Sequence, residues 1–190
     1  MKSNINLCVM PECYLDTNLV ETIVPPVRIG STCGYNHKRS CNKVVDEMMS
    51  KLKDDFALGI VDSDKRPLSR TTEFELISEK QLTGKHYLKL YKHRQKPHYL
   101  IFHPPIEQWI LDEAKQVGIP LDNVAYNLPT TLKGLLGETK NEHSKKDRRF
   151  QNLFLDLKKD NAIGINLMAK WIEHLKSNPY NADRTTLQNL

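Results

Sequence analysis

The chain has 190 residues, 39% of them hydrophobic, with 28 Lys and Arg against 23 Asp and Glu, a formal net charge of +5 and a sequence pI near 8.9. This is enough apolar material for one good core, so one compact domain with C-terminal helical additions is expected rather than two domains, and the mild basicity does not by itself name nucleic acid as a partner. Cys8, Cys13, Cys33 and Cys41 form no Cys-x-x-Cys pair and no zinc-finger spacing, no P-loop, Gly-x-Gly-x-x-Gly or His-Glu-x-x-His is present, and no apolar run approaches membrane-spanning length.

The N-terminal apolar run is short, interrupted by Asn6 and followed by Pro11 and Glu12, unlike a signal peptide. A cytoplasmic protein with reduced thiols, no zinc and no membrane segment is therefore expected.

In chain order, Ile5 to Met10 reads as a first strand that runs into Glu12. From Tyr14 the apolar residues Leu15, Leu19 and Ile23 recur every four, with Val20 beside them, which predicts a helix ending before Pro25-Pro26. Val27 to Tyr35 is broken by glycines and fits a strand or a loop. Cys41 to Asp55 carries Val44, Met48 and Leu52 with Val45 and Met49 alongside, an amphipathic helix whose stripe packs on a sheet.

Phe56-Ala-Leu-Gly-Ile-Val is a continuous apolar run that suits a strand buried on both faces, and it ends on Asp62 and Asp64. Two residues apart on a continuing strand, these carboxylates point the same way, at the edge where open α/β sheets bind their ligands. So close together they repel unless a cation sits between them, and Mg²⁺ or Mn²⁺ is the oxygen-preferring choice. The alternative is that Asp-Ser-Asp-Lys-Arg-Pro is a turn with a helix cap. Ser63 would face away from the two acids. The first third reads β-α-(β)-α-β, the pattern of an α/β domain with a largely parallel sheet.

Lys85 to His98 is the most basic stretch, with Lys85, Lys89, Lys92, Arg94 and Lys96 and no acid. As a strand from Lys85 to Lys92 it places Tyr87, Lys89 and Tyr91 on one face and Leu88 and Leu90 on the other. Lysines that neutralise phosphates and tyrosines on which bases stack suit a nucleic-acid surface, with Lys65 as a further contact; a lysine-protected edge strand is the alternative. Pro97 to Phe102 reads as another buried strand, and His103-Pro104-Pro105 opens a helix with Ile106, Ile110 and Val117 on its apolar face.

Glu107 lies in that helix's first turn, favoured there by the macrodipole or placed there for chemistry, and Trp109 is expected in the core. His37, His98 and His103 read as lone structural or exposed histidines. The last third is loop-like from Asp122 to Glu142, with a helical turn at Leu132 to Leu136. A helix opening at Lys145 to Arg149 then carries Phe150, Leu153, Phe154 and Leu157, and a second, Ala162 to Lys176, carries Ile165, Met168, Ile172 and Leu175. The two are expected to pair antiparallel, and the residues after Asn178 to form a mobile tail.

Glu12-Cys-Tyr-Leu-Asp16 at the end of strand one, followed 50 positions after Glu12 by Asp62-Ser-Asp64, resembles the TOPRIM fold of topoisomerases, primases and OLD-type nucleases. The family usually has glycine directly after the first glutamate, where this chain has Cys13. Pro-Pro-Ile-Glu107-Gln-Trp109 after a strand is similar to a segment of the small RloB-like TOPRIM proteins of bacterial and phage defence, in which the glutamate lies near the acidic centre.

The resemblance covers roughly residues 4–117. It implies that Glu12, Asp62 and Asp64 hold Mg²⁺ or Mn²⁺ for phosphodiester chemistry, with Asp16 and Glu107 as further acids of the centre. The expectation is a TOPRIM-like α/β domain over 1–125, with a largely parallel central sheet flanked by helices and an added basic strand region. A helical extension over 126–178, containing the helical pair, and a tail over 179–190 would follow. The function implied is a nuclease acting on DNA or RNA in anti-phage defence beside a partner ATPase, with a homo-oligomer left open. The alternative is a non-catalytic nucleic-acid-binding or sensor subunit.

Overall fold

The computed structural model describes residues 4–28, 34–63, 70–82 and 86–190. Five strands, β1 (Val9–Pro11), β2 (Ala57–Asp62), β3 (Phe74–Gln81), β4 (Tyr87–His93) and β5 (His98–His103), form one sheet in the order β1-β2-β5-β4-β3. β1, β2 and β5 run parallel, while β4 is antiparallel to β5 and β3 is antiparallel to β4. The sheet is thus mixed, not largely parallel. A β3–β4 hairpin intervenes in sequence between β2 and its parallel neighbour β5.

Period-two alternation sorts each strand's side chains between two apolar layers. Val9, Leu58, Ile60, Leu88, Leu90, Tyr99 and Ile101 face the larger core. There they meet helices α1 (Tyr14–Ile23), α3 (Ile106–Val117), α5 (Arg148–Lys159) and α6 (Ile163–Ser177). Met10, Ala57, Val61 and Leu100 face the opposite way, against Val44, Val45, Met48 and Met49 of helix α2 (Cys41–Ser50). Gly59 permits that second contact: a Cβ there would lie 2.6 Å from both Val44 Cγ1 and Leu100 Cδ2.

Helix boundaries follow local chemistry. Cys13 and Asp16 close a capping box on α1, and Ser40 Oγ accepts the Lys43 N–H to start α2. Pro104-Pro105 precedes α3, which ends on Gly118 in the left-handed region at φ 75°. Asp147 caps α5. The first strand is shorter than expected because Ile5–Cys8 forms a 3-10 turn, with the Asn4 side chain accepting the Asn6 N–H. Among the described residues of 27–35 there is no strand.

Both sheet edges are covered. Asn36 and Lys38 donate their N–H groups to Val9 O and Pro11 O along β1. On β3, Gln188 Nε2 donates to Ile77 O at 3.0 Å and Arg184 pairs with Glu75. Gln188 belongs to helix α7 (Arg184–Asn189), which follows α4 (Leu132–Thr139), α5 and α6 in the chain's last third. The residues expected as a tail are therefore structured in part: Leu187 is 1% exposed and its carbonyl accepts Trp171 Nε1–H at 3.0 Å. No helix among the described residues is long and apolar enough to cross a membrane.

Candidate metal centre

β1 and β2 are parallel and in register, so Glu12 and Asp62 emerge on the same edge of the sheet. Glu12 extends the ladder by donating its N–H to Ile60 O at 3.0 Å, and its Oε2 accepts the Asp62 N–H at 3.3 Å. The N–H of Cys41, in the first turn of α2, also favours the charged carboxylate. These donors are outweighed. Burial first, then the charges of Asp62 and Asp16, push the Glu12 carboxyl up to about 7.

Asp16, in the first turn of α1, is 1% exposed. Its Oδ2 accepts the Cys13 N–H at 3.1 Å while Cys13 Sγ accepts the Asp16 N–H at 3.2 Å. Its Oδ1 makes no hydrogen bond and faces His103 Nε2 at 3.4 Å. His103, the register partner of Asp62, is fully buried and stacks on Trp109 with ring centroids 5.3 Å apart. Its Nδ1 lies 2.7 Å from Pro104 O, and since a carbonyl only accepts, Nδ1 carries a proton and Nε2 is turned toward Asp16. Trp109 is core, as the sequence pattern predicts, at 1% exposed.

Glu107 accepts Thr139 Oγ1–H at 2.5 Å, which ties the start of α3 to the end of α4. Asp64 and Lys65 lie outside the described residues, as does Lys85. The structure therefore brings Glu12 and Asp62 together, places Asp16 close enough to act on Glu12 through its charge, and gives Glu107 a separate partner. Among the described residues no three His, Cys, Asp or Glu side chains form a metal-holding group. The Glu12–Asp62 pair nonetheless suits Mg²⁺, which keeps several waters and commonly takes one or two carboxylates plus substrate phosphates.

The basic strand has the predicted alternation, with Leu88 and Leu90 buried and Tyr87, Lys89 and Tyr91 on the other face. It is an interior strand between β5 and β3, so the edge-strand alternative does not hold. Tyr87, Lys89 and Tyr91 line a cleft of about 330 Å³ with Ser63 and Phe102, next to the end of β2. Lys89 pairs with Glu79 at 2.6 Å, Lys92 lies 6.0 Å from the centre of the Tyr99 ring, and Lys96 donates to Lys53 O at 3.0 Å. Arg94 is exposed.

A second cleft, of about 480 Å³, opens at Glu12 and is lined also by Cys13, Tyr14, His37, Arg39 and Glu142. Tyr14 stacks on His37 with centroids 4.4 Å apart and rings 16° from parallel, and Arg39 Nη2 donates to the Tyr14 hydroxyl at 3.2 Å. Thr17 Oγ1 lies 3.0 Å from His37 Nδ1. Burial, followed by the charge of Lys145, holds the His37 pKa below its ordinary value. His98, by contrast, is fully buried against Leu52 O.

The sequence did not single out Tyr14, Arg39 or Glu142. The nearest signal was the Lys145-Lys146-Asp-Arg148-Arg149 cluster, which the fold carries back to the start of α1. Compared with known protein families, curated proteins and solved structures, the chain matches none.

Proposed function

We propose that this chain is a metal-dependent nuclease of TOPRIM type that cleaves phosphodiester bonds in DNA or RNA at the edge where β1 and β2 end. The observation that carries the reading is the buried meeting of Glu12 with the end of β2, where Glu12 Oε2 accepts the Asp62 N–H at 3.3 Å and burial first, then the charges of Asp62 and Asp16, push the Glu12 carboxyl up to about 7. Without a cation such a carboxyl resists ionising near neutral pH, and a bound divalent cation would keep it ionised and relieve the repulsion. Glu12 and Asp62, together with the sequence-predicted Asp64, would hold Mg²⁺ or Mn²⁺, whose charge would offset that of the phosphate oxygens. Asp16, at the start of α1, and His103, at the end of β5, face each other at 3.4 Å. The Tyr87, Lys89 and Tyr91 face would meet the substrate on the Ser63 side.

As an effector in anti-phage defence it would depend for any ATP hydrolysis on a separate chain, because it has no phosphate-cradling motif of its own. A second reading, a nucleic-acid-binding or sensor subunit without turnover, is favoured by Asp16, whose buried carboxylate is taken up in the α1 capping box by the Cys13 N–H. Incubation of the purified protein with plasmid, single-stranded DNA and tRNA in Mg²⁺, Mn²⁺ or EDTA distinguishes the two. Cleavage that needs the metal supports the nuclease, and binding without cleavage in any metal supports the subunit.

A further inference from the structure

The Glu12 cleft does not end at Tyr14 and Glu142. These two residues also border a lobe of about 670 Å³ lined by His143, Lys145, Lys146 and Asp147. Each lobe is within the roughly 300–1,000 Å³ typical of ligand sites. The far wall is the turn over residues 141–147, and buried side chains hold it in place. Asn18, 1% exposed on α1, donates from Nδ2 to Ser144 O at 2.7 Å and to Asp147 O at 3.1 Å. Ser144, also 1% exposed, donates from Oγ to Asn141 O and lies 3.2 Å from Thr139 O. Thr139 in turn donates to Glu107. A buried asparagine bonded to two carbonyls of one turn fixes the position of what that turn displays.

What it displays is positive charge. Among the described residues Arg39, Lys145 and Lys146 form no ion pair, whereas Asp147 is taken up by Arg149 at 2.7 Å and by the start of α5. The cleft's remaining acid besides Glu12 is the exposed Glu142. Three uncompensated cations beside one acid, with the Tyr14 ring between the lobes and Glu12 at one end, match an elongated anion with a repeating charge.

We propose that this two-lobed cleft guides a nucleic-acid strand to the Glu12–Asp62 carboxylates, with Arg39, Lys145 and Lys146 on successive phosphates and Tyr14 offering a ring face to a base. The destination rests on the nuclease reading; the binding site does not. Asn18 is a positioning residue that acts through the 141–147 turn.

Fluorescence anisotropy with short labelled DNA and RNA single strands and a DNA duplex, over a salt series in EDTA, tests this without any cleavage. Each lost phosphate contact lowers the log–log salt slope by about 0.7 on a single strand and about 0.9 on duplex DNA. Lys145→Gln with Lys146→Gln should therefore lower it by about 1.4 on the preferred single strand or about 1.8 on duplex, and adding Arg39→Gln should lower it further. Lys115→Gln with Lys159→Gln, an equal change of charge in the last turns of α3 and α5, should leave the slope at the wild-type value. Lys145→Arg with Lys146→Arg should retain it. Asn18→Ala, checked for folding by circular dichroism, should weaken binding with Arg39, Lys145 and Lys146 all still present.

Equal slopes for both double glutamine variants, or no change in either, would overturn the cleft assignment even if the wild type cleaves. Binding through the cleft by a protein that cleaves nothing would leave this inference standing and remove the nuclease reading.

Discussion

The Asp62 N–H lies 3.3 Å from Glu12 Oε2, so two neighbouring parallel strands end on a shared carboxylate that burial and the Asp62 charge together drive toward protonation. This sets a pH dependence. With its folded pKa raised to about 7 from 4.5, Glu12 contributes stability that is fully present below its unfolded value and lost as pH rises through the folded one. Glu12→Gln removes the titration. Its melting temperature should exceed the wild-type value at about pH 8 and approach it at about pH 5. A difference that does not change with pH would contradict the assignment.

Divalent cation should act on the same repulsion. Mn²⁺ or Mg²⁺ binding to the folded state should raise the wild-type melting temperature, more at alkaline than at acid pH, because the ionised pair binds it better. Asp62→Asn combined with Glu12→Gln should abolish the shift. A wild-type melting point that ignores millimolar Mn²⁺ would count against the centre.

Helix α6 begins without a cap of its own, since Ala162 supplies none, and Glu113 of α3 takes that role by accepting the Gly164 N–H at 3.1 Å on both oxygens. Trp109 Nε1 holds the same carboxylate at 2.9 Å. A Cβ at Gly164 would lie 2.5 Å from Glu113 Oε1 and 2.9 Å from Trp109 Nε1, with little freedom for either to move. Gly164→Ala should cost about 1–3 kcal/mol in urea unfolding. Gly137→Ala in α4, where a Cβ meets nothing within 4 Å, should instead be neutral or stabilise by about 0.5–1 kcal/mol.

The final helix should behave as part of the fold. Leu187→Ala removes a side chain that is 1% exposed and should cost about 2–5 kcal/mol, against about 0.5 kcal/mol or less for Leu155→Ala, which is 53% exposed. Amides of 184–189 that exchange at the rate of unstructured chain would contradict the packing.

The physical reasons for what the sequence disclosed are visible in particular residues. Phe56 to Val61 and Pro97 to Phe102 were legible as strands because both faces of β2 and β5 are covered, which makes their apolar runs continuous. β3 was not legible. In Phe74-Glu-Leu-Ile-Ser-Glu-Lys-Gln only Phe74 and Ile77 are buried, and a bulge between Leu76 and Ser78 breaks the period-two pattern. Without β3 there was no hairpin, so the sheet read as parallel and β4 could pass for an edge.

Leu187, one apolar residue in a polar segment, gave no sign of packing because its partner Trp171 lies on another helix. At the site, the acids at strand ends were legible from position alone. That Asp16 is buried beside His103 was not, because the approach to β5 is made only by the folded chain.

Whether Glu12 and Asp62 perform phosphodiester cleavage as one unit is decided by cleavage and binding measured side by side in wild type, Glu12→Gln and Asp62→Asn with Mn²⁺. If the two carboxylates act together, either substitution alone should remove nearly all cleavage, and the double variant should be little worse. Binding should be retained or strengthened, since a negative charge facing the phosphates has been removed. Cleavage that persists undiminished in both variants would place the chemistry elsewhere and contradict this account.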